Sequence, residues 1–303
     1  MPFYRQAKPL LLVAVTFSLV HTPLQACSTC KCGDPTLTLV GSEKPFAGRL
    51  RLGVDYQLRS ETEGDPDVLE SEIDEERLTL GIIYSVNRRL TLGLRVPYVW
   101  KEQQTNTLAR NEARGLGDSD IFARYNLWER ERDIYGITVG ARLPTADEAE
   151  DQNGDPVDID AQPDVAAPAA LIGGYWQRFL HPWFYTASAT ATLYGDGRQG
   201  IEPGNNITGS LRAQYAFSYG LAAQAGLDFR YGERDAFDGI DDEDSGGFLG
   251  NLFVGGAWSP VEDWLMFAGV QVPLLDDLNG HQDEDPTFQL GVIADFQLPV
   301  GKD

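Results

Sequence analysis

The chain has 303 residues, a formal net charge of −22 and an isoelectric point near 4.4. This charge argues against nucleic acid as a partner, because nucleic-acid binders present basic surfaces to phosphate. Glycine is abundant at 32 residues and methionine is scarce at two, as is typical of an all-β chain with many turns. Beyond the first 26 residues no apolar run reaches 18 residues, so the remaining sequence predicts no membrane-spanning helix.

Residues 1–26 have the layout of a secretory signal peptide. Arg5 and Lys8 precede an apolar stretch, and a short polar segment then ends at Ala26. We therefore predict export and cleavage after Ala26. The residues from Leu24 to Cys27 also half-match a bacterial lipobox, so acylation of Cys27 is a second hypothesis.

Residues 27–47 form a short segment that we expect to lie in the periplasm. It contains all three cysteines of the chain, Cys27, Cys30 and Cys32. An oxidising compartment favours one disulfide, or lipidation of Cys27 with a bond between the other two. Metal binding is a third hypothesis, although three thiols are one ligand short of a usual zinc site. Lys31 stands where a c-type haem site needs histidine, and we predict no cofactor.

From residue 48 onward, stretches of alternating apolar and polar residues recur about twelve times. In the stretch from Leu90 to Lys101, leucine, valine, tyrosine and tryptophan occupy one side, and polar residues, glycine and a proline dominate the other. Each stretch has roughly 10 to 13 residues, enough for a tilted strand to cross the ~25 Å apolar band of an outer membrane. The stretches start near Arg49, Arg77, Leu90, Asp118, Ile134, Leu171, Trp183, Ile207, Leu221, Phe248, Trp264 and Phe288.

The connections alternate between short turns and long polar loops. A soluble β-sandwich has no reason to place its long loops at one end, whereas a transmembrane barrel has short periplasmic turns and longer extracellular loops. Aromatic residues cluster at both ends of the predicted strands, as at two lipid–water interfaces. We therefore predict an all-β fold, a transmembrane antiparallel β-barrel of about 12 strands over residues 48–303, in a bacterial outer membrane. The long loops are expected at 60–73, 102–115, 145–166, 195–206, 232–246 and 276–286.

The polar sides of the strands predict the lining of the lumen. By this assignment the lumen carries about ten basic and five acidic groups, and the excess predicts selection of anionic solutes, although pairing of opposite charges accounts for part of the pattern. The strand from Leu171 to Arg178 fits either facing. The residues predicted to set selectivity are Arg51, Arg95, Arg124, Arg142, Arg212, Arg230, Asp55, Asp118 and Asp228.

The long loops hold most of the acidic residues and are predicted to form the mouth. Asp151, Asn153 and Asp155 have the spacing of the first oxygen ligands of a calcium loop. Pro156 and Gln162 depart from that pattern where glycine and glutamate are expected. The alternatives are a solvated surface loop and divalent cations that bridge the acidic loops to lipopolysaccharide.

Two segments resemble a known family. The sequences GLGDSDIFARYNLW at 115–128 and GARLPTAD at 140–147 are similar to the strand signatures of the bacterial outer-membrane family named for the meta-pathway of phenol degradation, with Ala146 in place of a family glycine. The resemblance implies a barrel that transports aromatic or other small compounds. It also implies that Gly115, Gly117, Asp118 and Pro144 are structural signature positions.

These observations predict a channel for uptake of small anionic or aromatic solutes, with outer-membrane lipid and lipopolysaccharide as its surroundings. A structural or adhesive barrel is the first alternative. The second is a hydrolase active at the barrel rim, in which His281 would pair with acidic residues of a neighbouring loop. No serine is placed near His281 by spacing, and we predict no enzymatic activity.

Overall fold

The computed structural model describes residues 46–67, 70–107, 109–151 and 153–299. The predicted signal peptide and the cysteines Cys27, Cys30 and Cys32 lie outside the described residues. The strands in chain order are β1 Arg49–Glu63, β2 Ser71–Ser85, β3 Leu90–Thr105, β4 Arg110–Leu116, β5 Ser119–Glu129, β6 Asp133–Leu143, β7 Ala169–Leu180, β8 Trp183–Tyr194, β9 Ile201–Glu202, β10 Asn206–Ala216, β11 Leu221–Gly232, β12 Ala236–Phe237, β13 Ile240–Asp241, β14 Gly247–Trp258, β15 Trp264–Leu278, β16 Gln282–Glu284 and β17 Thr287–Gln297.

Twelve strands of the described chain form one closed antiparallel barrel, which confirms the predicted fold. Their order around the barrel is β1, β2, β3, β5, β6, β7, β8, β10, β11, β14, β15 and β17. The barrel closes because β1 pairs with both β2 and β17, so that Asp55 stands opposite Thr79 on one side and Gly291 on the other. β4 extends the sheet beside β3, and β16 pairs with the outer end of β1.

Each barrel strand turns a polar face inward and an apolar face outward. In β3, Thr91 and Lys101 are buried inside while Leu92 is 44% exposed outside, as the alternation predicts. In β7, whose facing the sequence left open, Leu171, Tyr175 and Gln177 point inward. Outward leucine, isoleucine and valine side chains are 37–55% exposed around the wall, for example Leu78, Leu80, Ile121, Val139, Ile172, Leu193, Ile207, Leu211, Leu227, Val254 and Leu290.

The distribution of side chains is that of a protein surrounded by lipid. Large exposed apolar surfaces are unfavourable in water, and a closed barrel satisfies its backbone hydrogen bonds within the bilayer. Exposed aromatic side chains mark both ends of the apolar band. They are Trp128, Trp183, Phe217, Trp258 and Trp264 at the short-turn end, and Trp100, Tyr231 and Phe288 at the long-loop end. The barrel therefore belongs in a bacterial outer membrane.

No helix in the described segments is long and apolar enough to cross a membrane.

Strands extend into two of the predicted long loops, 60–73 and 102–115. β2 starts at Ser71, six residues before the predicted start at Arg77, and β3 and β4 pair as far as Gln104 and Arg110. The outward residues at the start of β2 are the charged Glu72, Asp74 and Glu76, and for this reason the sequence predicted a loop there. Above the membrane the outward face meets water, and a strand there accepts charges on both faces.

The connection between β6 and β7, residues 144–168, folds into the outer half of the lumen. Gln162 and Asp164 lie among inward side chains of the barrel strands. Apolar residues of this connection pack against one another and against the strands and loops beside them. The buried members of these clusters are Ala113, Val157, Ile159, Ala161, Val165, Ala167 and Ile201.

Candidate functional site: the barrel lumen

The outer half of the lumen is constricted around two arginines. Arg77 donates to the Glu75 carboxylate at 2.6 Å, and its guanidinium lies 3.5 Å from the carboxylate of Asp164 in the inserted connection. Arg142 donates to Asp120 at 2.8 Å and to the hydroxyl of Tyr194 at 2.8 Å. The cavity that remains here has a volume of about 40 Å³. Room for only a few water molecules is left at this level.

The inserted connection is held in place by hydrogen bonds from buried polar groups. Gln162 is 1% exposed, and its amide nitrogen donates to the carbonyl oxygens of Ala149 at 2.9 Å and Val157 at 3.0 Å. The backbone N–H of Ala149 donates back to the Gln162 side chain at 2.8 Å. Asp164 accepts from the N–H of Asp118 at 3.2 Å. Because unpaired buried amides are costly, these contacts favour the inserted position.

The middle of the lumen contains two arginines stacked on aromatic rings. The guanidinium of Arg124 lies 3.8 Å from the ring centroid of Tyr175, and that of Arg212 lies 3.9 Å from the ring centroid of Phe253. Arg212 also pairs with Asp228 at 2.7 Å. Such stacking fixes a guanidinium while its donor edge stays available for hydrogen bonds.

The periplasmic half of the lumen holds a vestibule of about 690 Å³. The residues that line it at the barrel end include Phe46 and Trp264, and deeper in the lumen Arg212 and Phe253 form its wall. The lining is mixed, with glutamine, threonine and arginine side chains beside phenylalanine rings. A space of this size and character accommodates a small organic solute.

The structure places all nine residues predicted to set selectivity on or beside the inner wall. Arg51 is bound to Asp295, with both contacts at 2.7 Å. Arg95 lies 3.7 Å from Asp120, and Arg230 lies 3.7 Å from Glu284. Asp118 accepts from the backbone N–H of Ala146 at 3.2 Å, and Asp55 is 1% exposed with no hydrogen-bond partner among the described residues.

The sequence-based count of acidic lumen groups was too low. Among the described residues, four further carboxylates reach lumen arginines, so at least nine acidic groups rather than five face the ten basic ones. Two of them stand at the outer ends of strands that were predicted to be loop, one comes from the inserted connection, and one belongs to the short strand β16. These residues are Glu61, Glu75, Asp164 and Glu284. Sequence reasoning missed them because the strand extensions and the inserted connection carry no separate periodic signal.

The proposed calcium residues form a local turn at the exposed part of the inserted connection. The carboxylate of Asp151 accepts from the backbone N–H groups of Asn153 at 2.7 Å and Asp155 at 3.0 Å. These hydrogen bonds lower the pKa of Asp151. Within the described ranges no group of three or more histidine, cysteine or acidic side chains could hold a metal ion. Calcium binding stays a prediction.

His281 lies at the exposed outer rim beside an acidic residue, as the hydrolase alternative requires. Its Nδ1 is 3.7 Å from the carboxylate of Asp244, whose oxygen also accepts from the backbone N–H of His281 at 2.8 Å. The geometry is that of a surface contact between two loops.

No protein-family model and no curated protein matches the chain by sequence. Solved structures match it by shape. An outer membrane channel from Pseudomonas putida F1 superposes with a TM-score of 0.65 at 18% identity, over 87% of this chain and 99% of that one. The chain has the fold of an outer membrane β-barrel. The translocator domain of the autotransporter NalP from Neisseria meningitidis superposes with a TM-score of 0.51 at 12% identity, over 84% of this chain and 91% of that one.

Proposed function

We propose that the protein is an outer membrane channel for uptake of small solutes. The observation that carries the proposal is the vestibule of about 690 Å³ inside a membrane-spanning barrel, lined by polar and charged side chains together with aromatic rings. A purely structural barrel has no need of a hollow lumen with a polar lining. The shape likeness to a channel from Pseudomonas putida F1 supports the same reading at the level of the fold.

Small anionic or aromatic solutes are the proposed cargo. Arg124 in the middle of the lumen has no carboxylate partner among the described residues and would attract negative charge, and phenylalanine rings in the vestibule offer apolar contacts to a flat molecule. The resemblance of residues 115–128 and 140–147 to the phenol meta-pathway family supports aromatic compounds. That family assignment remains part of the proposal.

The parts of the chain outside the barrel complete the proposal. Residues 1–26 would direct export, and residues 27–47 would lie in the periplasm. The acidic outer loops would contact lipopolysaccharide, with divalent cations between the two sets of negative charges.

Uptake into proteoliposomes tests this function. Vesicles that contain the purified protein are exposed to radiolabelled benzoate, to benzyl alcohol of the same size and to benzylamine, with empty vesicles as the control for passive permeation. The proposal predicts faster entry of benzoate than of benzylamine after subtraction of the empty-vesicle rate. Entry no faster than in empty vesicles, from a protein shown to be folded, would favour the structural barrel.

A further inference from the structure

The lumen contains one buried arginine that is left without a carboxylate partner. Arg124 is 3% exposed, its guanidinium interacts with Tyr175, and neither of its terminal nitrogens forms a hydrogen bond of ordinary geometry. Among the described residues, no acidic side chain forms an ion pair with it. The inward carboxylate four residues away on β5, Asp120, is bound by Arg142 at 2.8 Å and lies 3.7 Å from Arg95.

The side chain of Arg124 is nevertheless held firmly. Its guanidinium lies over the ring of Tyr175, 3.8 Å from the centroid. The Tyr175 ring is itself fixed, because its hydroxyl donates to Asn126 at 2.5 Å and its edge covers Gly136. A guanidinium with a fixed position and free donors is ready to bind a planar anion through two parallel hydrogen bonds.

The wall beside this stack offers further hydrogen-bonding groups. Ser188 stands opposite Tyr175 on the neighbouring strand β8, and Thr186 and Thr190 flank it on the same inner face. All three hydroxyls are buried and have no hydrogen-bond partner. Buried hydroxyls without partners are unfavourable unless a solute or water satisfies them.

The stack adjoins the vestibule. Gln177 and Thr186 line the vestibule, and they lie next to Tyr175 and Ser188 along β7 and β8, one inward position nearer the periplasm. Phe184 and Phe253 supply apolar rings in the same vestibule. A molecule with a carboxylate at one end and a flat apolar body at the other therefore meets complementary groups at both ends.

We infer that Arg124, Tyr175 and the β8 hydroxyls form a binding site for the carboxylate of small aromatic acids, with the aromatic body in the vestibule. The role of this carboxylate site in uptake rests on the proposed function. The site would bind solutes that are both anionic and aromatic. The solute carries its negative charge and its ring together. Arg212 is not assigned to this site, because its guanidinium already forms an ion pair with the Asp228 carboxylate at 2.7 Å.

Equilibrium binding to the purified full chain in detergent micelles tests the carboxylate site independently of transport. Benzoate and benzyl alcohol are titrated with ligand-observed NMR. The site predicts saturable binding of benzoate and much weaker binding of benzyl alcohol. Absence of saturable benzoate binding to folded protein overturns the inference.

Two substitutions at Arg124 separate the effect of its paired hydrogen-bond donors from the effect of its positive charge. Arg124→Lys keeps the positive charge but loses the planar pair of donors, and Arg124→Gln removes the charge as well. We expect both to weaken benzoate binding by about tenfold or more, the loss that corresponds to one charge-assisted hydrogen bond. Arg178→Lys is the matched control, because Arg178 lies on the outer face of β7 with a half-exposed side chain.

The results distinguish failure of the site from failure of the channel. One outcome is that Arg124→Lys binds benzoate with an affinity within a factor of about two of the wild type. That result would show that the paired guanidinium N–H groups of Arg124 do not bind the carboxylate, because such a change is smaller than one hydrogen bond contributes. If Arg124→Gln does not fold, as judged by the loss of heat-modifiable migration, Arg124→Lys decides alone. A protein that binds benzoate through Arg124 but conducts no ions would retain the site and contradict only the proposed uptake.

Discussion

At the scale of single residues, the lumen pairs most of its buried charges. Arg51, Arg142 and Arg212 each contact a carboxylate at 2.7–2.8 Å. Breaking one such pair leaves the partner uncompensated in a place with little water, which costs more than the pair itself contributes. Among the described lumen arginines in close contact with a carboxylate, Arg124 is missing, which is the reason for the binding role that we infer for it.

The titration of Asp283 at the outer rim gives a prediction for pH dependence. Asp283 is 4% exposed, and burial together with the negative charges of Asp276 and Asp285 raises its pKa to about 7. A raised pKa means that the folded rim binds the proton more tightly than the unfolded chain. The stabilisation is present in full below the ordinary aspartate pKa and is lost as the pH rises through about 7.

We expect the wild-type rim at residues 279–286 to open more readily at pH 8 than at pH 6, and Asp283→Asn to remove most of that difference. Hydrogen exchange of these amides, compared between wild type and variant at each pH, measures it. Asp67→Asn, an exposed carboxyl in another outer turn, is the control. Equal pH dependence in wild type and Asp283→Asn would show that another group titrates.

The sequence predicted residue positions better than residue partners. Alternation placed Arg51, Arg124 and Arg212 inside correctly, because the side-chain period of a strand is two and one face must meet lipid. It could not give the partners, some of which come from strands far apart in the chain. The ion pair between Arg51 and Asp295 depends on closure of the barrel, and that between Arg77 and Asp164 depends on an inserted connection.

At the scale of elements, close approach across the sheet decides which glycines are required. A Cβ on Gly136 would overlap the Tyr175 ring and lie 2.6 Å from the carbonyl oxygen of Tyr125. A Cβ on the exposed Gly174 would have its nearest neighbour at 3.8 Å, which is ordinary contact.

Gly136→Ala should therefore lower the free energy of unfolding by about 1–3 kcal/mol, the usual cost of overpacking, while Gly174→Ala should leave it almost unchanged. Urea titration of each variant in lipid vesicles measures the difference. Equal stability of the two variants would mean that the Tyr175 ring moves aside freely, and the fixed stack on Arg124 would then lose its support.

The inserted connection between β6 and β7 sets the width of the outer lumen. Gln162→Ala combined with Asp164→Ala removes the hydrogen bonds and the ion pair that hold it, and we expect single-channel conductance to rise several-fold as the constriction opens. Glu148→Ala combined with Glu150→Ala, two exposed positions of the same connection, is the matched control. Unchanged conductance in the first variant would show that the connection stays inserted or that the narrowest point lies elsewhere.

The strands were predictable as elements, and the connections were not. Ten of the twelve predicted strand starts fall within one residue of the observed starts, because each apolar stretch must begin at the membrane boundary. The start of β2 was missed since its first residues lie above the membrane, where apolar alternation is not required. Nothing in the composition of residues 144–168 distinguishes an inserted connection from a solvated loop, because its acidic residues suit both.

At the scale of the whole molecule, the fold reverses the usual distribution of polarity. Arginine, aspartate and glutamate side chains fill the interior, while leucine, isoleucine and valine cover the outside. Lipid is the solvent that stabilises this arrangement. The strong negative charge of the chain is concentrated in the outer loops, and the arginines lie on the inner wall. The net charge of the chain therefore does not give the charge of the lumen.

The hollow lumen is the property on which the account depends. The lumen contains an outer cavity of about 40 Å³ and a periplasmic vestibule of about 690 Å³, and the proposed channel needs the two to be connected. Passage of solutes through it would be slow for bulky molecules and would favour those that match the arginine-lined wall.

Single-channel conductance in planar bilayers, with a salt gradient across the membrane, tests this claim most directly. We predict discrete conductance steps and a reversal potential of the sign expected for anion preference. Inserted and folded protein that gives no conductance steps over a range of voltages would contradict the channel, and a reversal potential of the opposite sign would contradict anion selection by the lumen arginines.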